Sequence, residues 1–154
     1  MTLFKLIHLI AVLIWVGGMF FAYVVLRPAA VDVLQPPERL RLWDNVFRRF
    51  FNWVWGAVGA ILATGLYMIY QFGGMAHVPS YVHIMLLSGL LMTAIYCYVF
   101  FACYVPFNLN VAKERWKDAG EILGKIRKLV GTNLILGLLT IGVGAIGVAG
   151  GFPW

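Results

Sequence analysis

Three histidines are the residues best suited to do chemistry in this chain, and two of them sit in apolar surroundings: His8 and His83. An ionisable side chain at membrane depth is costly, so it turns toward protein and has a task there. Imidazole titrates near neutrality and, when neutral, ligates metals through a ring nitrogen. On a helix His8 shares a face with Val12, Trp15, Gly18 and Met19. That face joins a metal-ligand donor, a large aromatic ring and a glycine that admits a close neighbour. His83 opens a later apolar run, with Tyr81 two residues before it and Met85 two after.

Two imidazoles on different helices can grip haem iron from both sides. In that reading Lys5, one turn before His8, and Tyr81 hold the propionates, while Trp15, Tyr67 and Tyr70 supply flat walls. A softer ligand set competes with it. Met75 and His77 fall in the outer loop, followed by His83 and Met85, with His8 expected nearby, and imidazole plus thioether suits copper, above all Cu(I). His83 and Met85 are two residues apart, so on a regular helix they point about 200° away from each other. His77, within Gly-Gly-Met-Ala-His-Val-Pro, reads as a solvated loop residue. The plain alternative for His8 and His83 is a hydrogen bond to backbone or water at a membrane interface. No nucleophile–base pair or phosphate loop is visible, and no Asp or Glu lies inside an apolar run, which argues against a carboxylate proton relay. Cys97 and Cys103 are six apart, form no CxxC motif and read as packing residues.

The elements that must carry these residues are membrane helices. Of the 154 residues 62% are hydrophobic and 12% charged, about half the charged share of a soluble domain. Four runs reach the ~20 residues a spanning helix needs, at 3–26, 50–72, 82–104 and 129–148. The first exceeds the apolar core of a signal peptide and lacks a small-x-small cleavage site, so it reads as a helix that stays. Arg27-Pro28 is expected to end it. Pro36-Pro37 opens the second helix outside the bilayer, since Leu40, Trp43, Phe47, Phe50 and Val54 keep a helical spacing among charged neighbours. Trp116, Ala119, Leu123, Ile126 and Val130 do the same ahead of the fourth run. The expectation is an all-α, four-helix membrane bundle forming one domain over residues 1–154. Gly56, Gly59, Gly65, Gly137 and Gly144 read as helix-packing positions, and Asn52 and Asn133 as packing hydrogen bonds.

The net charge of +6 could suggest a nucleic-acid surface, but the basic residues flank the apolar runs, and we read no nucleic-acid partner. Eleven of the 12 Lys and Arg fall in or beside the first and third connections, the other being Lys5. The basic side faces the cytoplasm, so both termini and the loop 73–80 are expected on the outer, periplasmic side of a bacterial inner membrane. The first and third helices then run in the same direction, with His8 and His83 at similar shallow depth. If those helices face each other, the two rings converge in the manner of bundle-core cofactor sites.

The residues His8-x6-Trp15-Val-Gly17-Gly18-Met-Phe-Phe-x5-Arg27-Pro28 resemble the first helix of the CopD-like (copper resistance D) family of bacterial inner-membrane proteins. Arg48-Arg-Phe-Phe-Asn-Trp-Val-Trp, Thr64-Gly, Tyr81-Val-His83-Ile-Met and Ile126-Arg-x3-Gly-Thr-Asn133-Leu are similar to a small stand-alone branch of it. A related pattern occurs in HemJ-type protoporphyrinogen oxidases, small haem b proteins; where these have a later His-x-Lys motif, this chain has Met85 after His83. The resemblance implies the membrane bundle and a metal-ligand pair at His8 and His83, for haem or for copper. The expectation is a haem b protein of the lipid bilayer, a homodimer ligated by His8 and His83, engaged in electron transfer with an unnamed redox partner or in haem-dependent oxidoreductase chemistry. Its alternative is a copper-binding transport protein.

Overall fold

The structure, a computed structural model, describes residues 2–150; Met1 and residues 151–154, part of the termini expected on the outer side, lie outside the described residues. Four helices are long and apolar enough to cross a membrane: α1 (Thr2–Val33), α2 (Pro36–Gln71), α3 (Ser80–Ala112) and α4 (Trp116–Val148). The two short connections, around 34–35 and 113–115, lie at the basic end. Residue 2, the 72–79 loop and the end of α4 lie at the opposite, terminal end.

The starts follow the expected local chemistry. Pro36 and Pro37 occupy the first turn of α2, where no backbone donor is needed. The Glu38 carboxylate accepts the Gln35 backbone N–H at 3.1 Å, closing a capping box. α2 ends where the Gly74 N–H reaches back to the Ile69 carbonyl, with Gly73 and Gly74 at φ +92° and +94°, a conformation that suits glycine.

Arg27-Pro28 does not end α1, as the sequence reading expected; the helix runs on to Val33. A π-helical turn over Phe21–Leu26 precedes the proline, and the Arg27 N–H bonds the Ala22 carbonyl, five residues back. The widened turn shifts the hydrogen-bond ladder before the ring arrives, so the missing Pro28 donor breaks nothing. α3 repeats the device: a π-turn over Val99–Tyr104 precedes Pro106, and the helix continues to Ala112.

α1 packs chiefly against α2, and α3 chiefly against α4; α2 and α4 also touch, which leaves α1 and α3 on the long diagonal. The expected juxtaposition of the first and third helices is therefore corrected: they meet locally, Trp15 against Tyr96 with ring centroids 6.1 Å apart, and do not pack side by side. Shared direction sets which end each histidine occupies, but adjacency depends on which faces are small enough to approach.

Candidate functional site

The histidine in the second turn of α1 is held by α2. His8 Nδ1 lies 2.9 Å from Thr64 Oγ1, and a Cβ on Gly65 would stand 3.5 Å from His8 Cε1. The Thr64 hydroxyl proton is already committed, because the hydroxyl donates to the Ala60 carbonyl one turn back. A hydroxyl carries one proton, so Thr64 Oγ1 can only accept from the ring, and His8 Nδ1 carries the hydrogen. The consequence is a defined tautomer: Nε2 keeps its lone pair. Ligating histidines are usually oriented in this way, with the second ring nitrogen donating to an outer partner. Thr64 is 5% exposed, so water does not compete for the bond. One turn outward, Phe4 stacks on Tyr67 at 4.1 Å, and Gln71 donates to the Tyr67 hydroxyl at 2.7 Å, closing the α1–α2 seam.

The other candidates are placed as follows. Lys5 is exposed one turn outward of His8. His83 is exposed in the first turn of α3, where its Nδ1–H donates to the Pro79 carbonyl at 3.3 Å. Its neighbours on α3 turn the opposite way, into α4. The Tyr81 ring fills the space above Gly147, and the Met85 sulfur lies 3.2 Å from where a Gly144 Cβ would be. His83 and Met85 thus diverge, as their spacing requires. His77 is exposed and donates from Nδ1 to the Gly73 carbonyl at 3.0 Å, tying the loop to itself; Met75 is exposed in the same short turn. Trp15 lies two turns deeper than His8, 3% exposed, on the wall of an inner cavity.

The structure therefore gives the two imidazoles separate neighbourhoods: the α1–α2 seam for His8 and an outward face of α3 for His83. A tetrapyrrole held by both would need the rings to face each other across a slot, and these side chains do not frame one. The inner cavity, of about 240 Å³, is lined by Trp15 but by neither histidine. The haem b expectation finds no support in this geometry. Among the described residues no cluster of three or more His, Cys, Asp or Glu could hold a metal ion, so any metal site here would need fewer or softer donors. Cys97 and Cys103 are free thiols, the latter buried.

Two residues carry more than the sequence reading assigned them. Thr64 was legible only through its Thr-Gly context. Met68, four residues further along α2, puts a thioether on the same stripe as Thr64, the stripe that meets His8.

Comparison with known proteins gives one family: the model described as CopD, copper resistance protein D, matches residues 44–147. The match begins within α2 and takes in Thr64, His83 and all of α3, while α1 and His8 stand outside it. No curated protein and no solved structure matches the chain.

Proposed function

Because the chain belongs to the copper resistance protein D family, we propose that it handles copper ions as cargo at the terminal end of a multi-pass bundle. The membrane is the bacterial inner membrane, with both termini periplasmic. His8 Nε2 is the first donor, and Met68, one turn along α2 from Thr64 on the same stripe, offers a thioether that would complete a soft pair suited to Cu(I). His83, at the same end but on another face, is a second and separate imidazole that collects ions from the outside. The observation carrying this reading is the hydrogen-bond chain from the Ala60 carbonyl through Thr64 to His8, which leaves one imidazole nitrogen neutral and unprotonated at the outer rim. A pinned, neutral ring ligates without first losing a proton, and so binds at neutral pH.

The test is copper content by elemental analysis of protein purified in detergent and loaded with Cu(I) under reducing conditions. The unaltered chain and His77→Ala are expected to retain copper stoichiometrically, and His8→Ala to lose it. Equal retention by His8→Ala removes this site. A visible spectrum of the same preparation decides against the haem alternative if it shows no Soret band, and restores it if a band appears and shifts with dithionite.

A further inference from the structure

The basic end holds a pair of arginines that the copper reading leaves unused. A narrow groove between α1, α2 and α4 has Tyr23, Arg27, Trp43 and Arg127 among its lining residues. Three of the basic side chains at this end are half-buried, Arg27, Arg39 and Arg127, and two of the three meet in this groove. Their height follows from the packing. The Tyr23 ring seats on Gly131, where a Cβ would stand 3.0 Å from it. α1 runs toward the basic end and α4 away from it. Four residues toward that end lead to Arg27 on one helix and to Arg127 on the other, about 6 Å past the contact on both. The Arg27 guanidinium lies over the Tyr23 ring, 5.2 Å from its centroid, and an Arg127 terminal nitrogen lies 3.8 Å from where a Gly124 Cβ would be. Neither arginine has a carboxylate partner among the described residues, where the ion pair is Arg41–Glu114. Two permanent cations lining one groove repel each other, and partial burial weakens the screening by water. An anion held by both relieves that cost.

The same height marks where the hydrocarbon ends. Arg27 directly follows the first apolar run, 3–26, and Arg127 stands just ahead of the fourth, 129–148. Lipid phosphates lie at that level, immediately outside the apolar core. Further into the membrane the surface turns apolar: Phe20 and Val24 continue the Arg27 stripe of α1, Ile135 and Leu138 that of Arg127 on α4, and all four are exposed. We propose that the groove binds one anionic phospholipid from the leaflet at the basic end, its phosphate on Arg27 and Arg127 and its acyl chain along the apolar stripe. The planar fork of arginine donates paired hydrogen bonds to phosphate oxygens, and basic pockets between membrane helices hold lipid headgroups. A soluble anion gains only the arginines. A phospholipid gains the stripe as well, which selects the lipid as occupant. The site goes beyond the copper reading and lies at the opposite end of the bundle from His8.

The experiment is native mass spectrometry of the full chain released from neutral detergent, titrated with phosphatidylglycerol and with phosphatidylcholine of identical acyl chains. One phosphatidylglycerol is expected to bind about tenfold more tightly than phosphatidylcholine, the order of one charge-assisted hydrogen bond. Arg27→Gln with Arg127→Gln should bring the two affinities together. Arg49→Gln with Lys113→Gln removes the same charge from exposed positions of the same end and should keep the preference. Glycerophosphate, a headgroup without chains, should not displace the lipid even in large excess. Equal affinities in the unaltered chain overturn the proposal. Loss of the preference in the exposed pair as much as in the groove pair overturns it too, assigning it to the charge of the whole end. Displacement by glycerophosphate also overturns it and leaves a site for soluble anions. If the groove pair does not fold, the lipid ratio, the exposed pair and the glycerophosphate competition still decide. Copper retention by the groove pair is expected to be unchanged, so failure here and failure of the copper reading are told apart.

Discussion

At the basic end Trp43, Phe47, Phe51, Tyr104 and Phe107 interlock ring against ring, with Phe51 and Tyr104 centroids 5.1 Å apart and Phe47 and Phe107 5.9 Å apart. At the terminal end the helices approach over glycines instead. Gly137 receives Val16 and Met92, Gly144 receives Met85 and Gly147 receives Tyr81, joined there by short hydrogen bonds between side chains and by the single Phe4–Tyr67 stack. The first arrangement resembles the core of a soluble domain, which suits helices that run past the bilayer into water. The second suits lipid, where apolar burial drives little and close backbone approach does the holding. The ring-on-ring packing is concentrated where no candidate ligand lies, and the candidate ligands lie where helices meet over small residues. A site at the terminal end can therefore be altered without unfolding the bundle.

The strongest attack on that division is Phe107→Ala. The ring is 0% exposed and meets Phe47, so its removal should destabilise by about 3–5 kcal/mol, as large buried aromatics do. Denaturation by SDS in mixed micelles measures this, and the folded fraction should still load copper in full. A loss below about 1 kcal/mol would show that the aromatic block is not where the stability resides.

The complementary change is Thr64→Val, which removes the acceptor that pins His8 and keeps the shape. Loss of such an outer partner weakens metal affinity about 10–100-fold. The fold should lose less than about 1.5 kcal/mol, the net value of an ordinary hydrogen bond. Competition with a Cu(I) chelator reads the first quantity and SDS titration the second. If stability falls as far as in Phe107→Ala, the two ends are not separable.

Much of this was legible in the residues. The apolar runs and the helical spacing after Pro36 and from Trp116 foretold four helices and the two extensions at the basic end. Two things were hidden, for physical reasons. A π-turn depends on how the ladder relaxes ahead of a proline, so Arg27-Pro28 read as a stop when α1 continues to Val33. Periodicity fixes which residues of one helix share a face, but not what that face meets. Hence the relation of His83 to Met85 was readable, whereas the outward turn of His83 and the diagonal placement of α1 and α3 were not. Asn133 was read as a packing hydrogen bond, which holds for its amide nitrogen; the unpartnered oxygen emerges only from the surrounding walls.

The smallest expected effect tests what the polar ties of the terminal end are for. The Ser88 and Thr140 hydroxyls lie 2.8 Å apart between α3 and α4, with the carbonyls of Met85 and Leu136 as further acceptors on their own helices. Each hydroxyl can satisfy its proton without the other helix, so the bond between them adds little. Thr140→Val leaves the Ser88 proton on the Met85 carbonyl, and side-chain hydrogen bonds between membrane helices average about 0.6 kcal/mol. The expected loss in SDS titration is of that order, with copper affinity unchanged. A loss above about 2 kcal/mol would mean that hydroxyl ties, and not the glycine contacts at 137, 144 and 147, hold α3 to α4. In that case Thr64 would be part of the scaffold as much as a partner of His8, and the contrast between the two ends would narrow.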